Sequence, residues 1–290
     1  MIKMIKPIVN ISKVIDKYNT VILGFRGVIT DGKIIKPDVI NALINMKKQN
    51  MHVLLLSNTA QRTETVVRFL FENHVPLAVF DAVITAGEAM HYQLKARSGD
   101  FSRIGHKYFR LGEKDYKGVF SGLKDYQEVS SMAQADFVYV EGIAQNEDTM
   151  EKYIPFMEHA ASLSIPMVCV GNDTSTYTRG NITLGGGAIA EQYAILGGQI
   201  ITYGKPDAKL FAYMLDGLQD VKKDKVLVIG DSLQTDIKGA KMLGVDSVLI
   251  SKGIHINLLG EGYIPDVAKT RELAANFDAN PDYVISNLRW

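Results

Sequence analysis

The chain has 290 residues, 47% of them hydrophobic and 22% charged, a size that suits one large or two modest globular domains. Lysine plus arginine equal aspartate plus glutamate at 32 each, which argues against a strongly basic nucleic-acid face or a membrane-attracted surface. A single cysteine, Cys169, excludes an internal disulfide and fits a reducing compartment; with no signal-peptide core at the start and no run of membrane-span length, a cytoplasmic location is expected.

Residues 20–23 (TVIL) read as a buried strand, followed by the loop GFRGVITDG at 24–32. Residues 37–47 place Val39, Ile40, Leu43, Ile44 and Met46 at helical positions. Residues 52–56 (HVLLL) predict a second strand, ending in Ser57, Asn58 and Thr59. A helix over 63–73, a strand over 82–85 and a helix opened by Gly87 and Glu88 follow. This β-α-β-α order predicts a parallel sheet with right-handed crossovers.

The stretch 98–199 changes character. Strand-like runs at 107–111, 137–141 and 167–170, separated by helical stretches that include 147–163, predict a second, smaller α/β unit. Cys169 lies in an apolar run, so it reads as a core thiol. Gly185, Gly186 and Gly187 lack the spacing of a dinucleotide fingerprint and are read as a flexible loop at a domain junction. The first sheet is expected to resume at 200–203 and to close with 247–250 and 281–285.

The densest signal is VLVIGDSLQTDIKGAKMLG at 226–244. Residues 226–229 form a buried strand, Gly230 turns the chain, and Leu233, Ile237, Ala240 and Leu243 recur at helical spacing up to Gly244. Asp231 and Asp236 thus stand at a strand's carboxyl end and in the first helical turn, the edge where open α/β sheets bind ligands. Helix capping accounts for one acidic residue there, but poorly for the whole GDSxxTD pattern. Ser57 and Lys205 also follow strands; a hydroxyl and backbone amides can hold phosphate oxygens, a lysine can neutralise phosphoryl charge, and carboxylates can hold magnesium.

Through FRGVITDG, LLLSNT, GGGAIAEQYAILGGQIITYGKPD and VLVIGDSLQTDIKGAKMLG, the chain resembles the haloacid dehalogenase superfamily of phosphohydrolases over nearly its whole length. The branch it is similar to is class IIA, with its nitrophenylphosphatase-like and sugar-phosphate phosphatases. The resemblance implies a doubly wound, Rossmann-like parallel-sheet α/β core at 1–97 and 200–290, with an inserted C2-type α/β cap domain at 98–199. It implies that Ser57, with Asn58 beside it, binds the phosphoryl group, that Lys205 stabilises it, that Asp231 is a magnesium ligand and that Asp236 supports the metal's water shell. Asn172, Asp173 and Arg179, in GNDTSTYTRG, match a cap stretch that faces the core; for the first two, substrate contact and an Asx turn both stand, and for Arg179 substrate contact and a solvated charge. A small phosphorylated metabolite as ligand and a homodimer formed through the cap are further expectations, with no nucleic acid or membrane partner.

The first motif departs from the family. Where the resemblance implies a nucleophilic aspartate and an acid/base aspartate, this chain has Gly24 and Arg26. Glycine offers no nucleophile and removes a metal carboxylate, leaving the Arg26 backbone carbonyl as a donor. Arg26 either pairs with Asp231 in place of the metal or is solvated at the loop edge. Asp31 is expected to order a turn with Gly32. The histidines show no metal-ligand spacing and read as structural. Two functions follow: a phosphatase-type site with weak or lost turnover, or a non-catalytic phosphate-binding pseudophosphatase acting through a partner or through ligand-dependent cap closure. A nicotinamide oxidoreductase is disfavoured because no fingerprint follows the first strand.

Overall fold

A computed structural model describes residues 4–112, 118–141, 149–178, 181–218 and 221–290. Seven strands form the larger sheet: β1 (Lys6–Pro7), β2 (Thr20–Leu23), β3 (His52–Ser57), β4 (Ala82–Thr85) and, much later in the chain, β12 (Val226–Gly230), β13 (Asp246–Ile250) and β14 (Tyr283–Ile285). Their order is β1-β14-β13-β12-β2-β3-β4, with every pairing parallel. Every residue of β2 and β12 is buried, as expected of strands covered on both faces by helices. From β2 the chain winds outward through β3 to β4, and from β12 it winds the other way through β13 to β14. The two central strands therefore form a topological switch point, where a crevice opens at their carboxyl ends.

Local chemistry supports these elements. Helix α1 (Pro37–Lys48) starts with proline in its first turn beside Asp38 and ends on Lys47 and Lys48, charges that complement the helix dipole. It buries Val39, Leu43 and Met46 against the sheet, each contributing about 1.5–3 kcal/mol. Helix α2 (Thr63–Glu72) buries Val66 and Leu70 in the same cluster.

The second sheet has the order β11-β8-β7-β5-β6 and is also parallel, built from β5 (Lys107–Leu111), β6 (Gln127–Glu128), β7 (Phe137–Val140), β8 (Met167–Val170) and β11 (Ile200–Tyr203). This corrects one expectation: residues 200–203 do not resume the first sheet but pair with β8 at the edge of the second. The physical reason is visible in β11 itself, which buries Ile201 while leaving Ile200 and Thr202 exposed. That alternation belongs to an edge strand, not to a strand covered on both faces. Helix α3 (Ala86–Ala96) turns Met90 and Leu94 into a cluster with Phe101, Phe137 and Val168, and so packs on the second sheet. Cys169 is buried in this unit as expected, its thiol pushed up to about 12 by burial.

Strands β9 (Ser175–Thr178) and β10 (Asn181–Leu184) pair antiparallel, and one more reading changes. The glycines at 185–187 are not a flexible loop: α5 (Gly186–Ile195), which follows α4 (Met150–Ser162), begins there. The Gly187 N–H donates to the Asp173 carbonyl at 3.1 Å, and a β-carbon on Gly187 would stand only 2.5 Å from the Asn172 carbonyl oxygen. The missing side chain permits close backbone approach. Among the described residues no helix is long and apolar enough to cross a membrane.

Candidate functional site

At the carboxyl ends of β2, β3 and β12 lies a cavity of about 350 Å³, walled on the far side by loops of the second sheet. Asp231, Ser232, Thr235 and Asp236 reach it from β12 and the helix that follows. That helix opens with a π turn, Leu233–Ile237, before becoming α7 (Lys238–Leu243), which follows α6 (Ala208–Asp216). Gly244 ends it in a left-handed conformation, as the sequence predicts.

The floor of the cavity is a buried ion pair. Lys205 Nζ stands 2.6 Å from Asp236 Oδ1, with both side chains under a tenth exposed. Asp236 Oδ2 accepts the Asp231 and Ser232 backbone N–H groups, each at 3.2 Å. Burial works to lower the Lys205 pKa, but Asp236 and Asp173 outweigh it and hold the ammonium above its usual range. Asp231 is buried beside them, its Oδ2 accepting the Ile254 N–H at 2.8 Å. Burial, reinforced by Asp236, pushes its carboxyl up to about 8.

Lys205 is positioned by asparagines. Asn58 Oδ1 accepts the Lys205 N–H at 2.6 Å and Asn58 Nδ2 donates to the Lys205 carbonyl at 3.2 Å, so its side chain clamps the lysine backbone on both sides. Asn172 Nδ2 donates to the same carbonyl at 3.1 Å and to Gly204 O at 3.3 Å. Ser57 lines the cavity, its Oγ accepting the Thr59 N–H at 3.2 Å. Asp173 also lines it and accepts the Thr235 hydroxyl at 3.0 Å. Its pKa is raised, chiefly by burial, with Lys205 opposing and Asp236 adding to the rise. Arg179 lies outside the described residues.

Gly24 faces this group. A β-carbon built on it would stand 3.4 Å from Asp236 Oδ1 and 3.2 Å from Val28 Cγ2. Its backbone is not among the positive-φ glycines, so the conformation does not require glycine, and a β-carbon there would need Val28 to give way by only a few tenths of an ångström. Gly27 is the opposite case: with φ +75 and a hypothetical β-carbon 1.8 Å from Asp231 Oδ2, only glycine fits against that carboxyl. Arg26 lies at the mouth of the cavity, exposed, and forms no ion pair with Asp231 among the described residues, which removes the charge-replacement reading. Asp31 orders its turn as expected, its Oδ1 accepting the N–H groups of Lys33 and Ile34.

The residues present do not fit a magnesium ion. Among the described residues no group of three or more histidine, cysteine, aspartate or glutamate side chains could hold a metal. Asp236 Oδ1 is bound by Lys205, its Oδ2 already accepts two backbone N–H groups, and Gly24 adds no oxygen, so the carboxylate that would complete a magnesium site beside Asp231 is missing.

Sequence reasoning missed two contributors. His255 Nε2 accepts the Leu233 N–H at 3.1 Å and so holds the start of the helical segment that carries Thr235 and Asp236; burial depresses its pKa to about 4. Glu141 stands on the cavity wall at the end of β7, where an apolar run concealed it.

A doubly wound core holds a second α/β unit between its halves and a cavity at its switch point, and the chain belongs to the haloacid dehalogenase-like hydrolases, whose family model matches residues 14–244. A second model, of HAD-hydrolase-like proteins, matches residues 202–290. In fold it is similar to a haloacid dehalogenase-like family hydrolase from Brucella suis 1330, with 24% identity, a TM-score of 0.80 and coverage of 96% of this chain and 98% of that one. It is also similar to a possible sugar phosphatase of the HAD superfamily from Cytophaga hutchinsonii (19% identity, TM-score 0.70, 96% of each chain covered). The 4-nitrophenylphosphatase from Thermotoga maritima matches at 24% identity and TM-score 0.65, over 94% of this chain and 96% of that one. These neighbours share the fold over nearly the whole of this chain. No curated protein matches the chain.

Proposed function

We propose that this chain is a phosphatase-type protein that retains a pocket for the phosphate of small phosphorylated metabolites but has weak or no hydrolytic turnover. The observation that carries the reading is Gly24: the position beside the Lys205–Asp236 pair, where the family's nucleophile belongs, holds a hydrogen atom. Lys205 commits one of its three N–H donors to Asp236 and keeps two for phosphate oxygens, and the Ser57 hydroxyl donates from the neighbouring loop. Asn58 and Asn172 fix the lysine backbone, so the ammonium is pre-organised rather than mobile. With no carboxylate at 24 and an exposed arginine at 26, no aspartyl-phosphate forms at the family's nucleophile position and its acid/base position holds no carboxyl group. Residual hydrolysis is left to water attacking the held phosphate. Two contacts across the cavity favour a second, binding-only reading: Asp173 with Thr235, and Thr174 Oγ1 donating to Gln234 Oε1 at 2.7 Å. They tie the second unit to the core beside the phosphate position, so an occupant of the pocket is felt by both.

Calorimetric titration with inorganic phosphate tests the pocket. Binding by the wild type that is weakened by Ser57→Ala and lost in Lys205→Met supports it; equal binding by all three, or none by the wild type, contradicts it.

A further inference from the structure

The cavity wall opposite Lys205 carries a second charged assembly that the phosphate chemistry does not use. Arg110 Nη1 donates to Glu141 Oε1 at 2.7 Å, and the Tyr139 hydroxyl donates to Glu141 Oε2 at 2.7 Å. Arg110 and Glu141 side chains are each only 4% exposed. The guanidinium lies 5.2 Å from the Tyr139 ring centroid and 5.6 Å from that of Tyr108, and its Nε reaches Glu128 at 3.1 Å. Glu141 lines the cavity; Arg110 stands behind it.

A buried ion pair is a weak device for stability, because desolvation offsets much of the attraction and an apolar pair of equal volume does as well. Its placement has a different consequence. A carboxylate offers about four acceptor sites. Arg110 and Tyr139 occupy one on each oxygen, which fixes the group in one orientation and leaves acceptor capacity toward the cavity. Arg110 offsets part of the charge of Glu141 and Glu128, so the wall repels a phosphorylated molecule less than a bare carboxylate would. Ser175, Thr176 and Tyr177 continue the same wall with hydroxyl groups. Among the described residues no lysine or arginine of the second unit lines the cavity.

We propose that Glu141 is the specificity-determining residue of this pocket, and that it selects phosphate monoesters whose organic part carries hydroxyl donors over those with an apolar one. The inference rests on the phosphate-pocket reading and adds to it which end of the ligand meets the second unit. A buried acceptor built to be satisfied discriminates strongly against a ligand that leaves it unmet.

The test is calorimetric binding of three probes to the full chain: inorganic phosphate, glycerol 1-phosphate and n-propyl phosphate, the last two matched in carbon number. The wild type is expected to prefer glycerol 1-phosphate over n-propyl phosphate by about tenfold or more. In Glu141→Gln, which keeps the volume and removes the charge, that ratio is expected to collapse toward one. A wild type with no preference overturns the proposal, and this comparison needs no variant to fold. An undiminished preference in a cooperatively melting Glu141→Gln protein overturns it as well. Failure of the wild type to bind inorganic phosphate overturns the pocket reading itself, whereas phosphate binding without a preference between the esters overturns only the role of Glu141.

Discussion

Restoring the missing carboxylate is the most informative perturbation. In Gly24→Asp the new β-carbon would lie 3.4 and 3.6 Å from the two Asp236 oxygens and 3.2 Å from Val28 Cγ2, so the backbone accepts it with a shift of a few tenths of an ångström. The energetic consequence is electrostatic. A second carboxylate about 4 Å from that of Asp236 costs at most about 4 kcal/mol at an effective dielectric near 20, an upper bound because the Lys205 ammonium beside the pair offsets part of it. Protonating the new group at neutral pH, about three units above its ordinary pKa, costs no less than that bound. At about 2 °C per kcal/mol for a chain of this size, the variant should melt below wild type in metal-free buffer by up to about 8 °C. Magnesium should recover much of the loss, because the variant offers carboxylates from both central strands, and saturation at 100 times the dissociation constant returns about 2.7 kcal/mol. The assay is a thermal melt over a magnesium series at constant ionic strength, with wild type alongside. Wild type should not respond. A wild type that gains as much from magnesium as the variant, or a variant that gains nothing, would refute the reasoning about Gly24.

Three further outcomes follow from the same geometry. Lys205→Met strands the buried Asp236 carboxylate and should destabilise the chain by about 3–5 kcal/mol in urea, with partial recovery in the Lys205→Met, Asp236→Asn double variant. His255 titrates near 4 in the folded chain against 6.5 ordinarily, so the unfolded chain binds more protons between those values. Its contribution is complete above about pH 6.5 and lost as pH falls toward 4, by about 3 kcal/mol in all, and His255→Gln, an acceptor that does not titrate, should flatten the acid limb of a stability–pH curve. Gly27→Ala combines a left-handed backbone with a clash against Asp231 and should cost at least about 2 kcal/mol by urea unfolding.

Much of this architecture is legible in the residues. The buried runs at 20–23, 52–56 and 226–229 are strands because only continuous apolar sequence suits a sheet covered on both faces, and the polar loops after them necessarily gather at one edge. The convergence of Ser57, Asp231 and Asp236 follows from that rule, whereas Lys205 follows a strand of the second sheet and joins them through the Asn58 contact. What escaped depends on partners distant in sequence. Residues 200–203 carry apolar side chains compatible with either sheet, and only pairing with Met167–Val170 decides between them. The two-sided clamp of Asn58 on Lys205 joins residues 147 positions apart, so nothing local marks it as a positioning group. Glycines 185–187 read as flexible because composition alone does not reveal the carbonyls of Asp173, Glu141 and Asn172 against which they pack. Glu141 is a single charge at the end of an apolar strand, and its place on the cavity wall appears only when the second sheet is set over the first.

The central claim, a phosphate pocket without its nucleophile, is tested most directly by phosphate release. Wild type and the Gly24→Asp, Arg26→Asp double variant would be assayed on an aryl phosphate and a panel of phosphorylated metabolites, each with magnesium and with chelator. The expected result is a wild type near background in every condition and a double variant that turns over only with magnesium. Magnesium-dependent turnover by wild type at a rate equal to or above that of the variant would contradict the account.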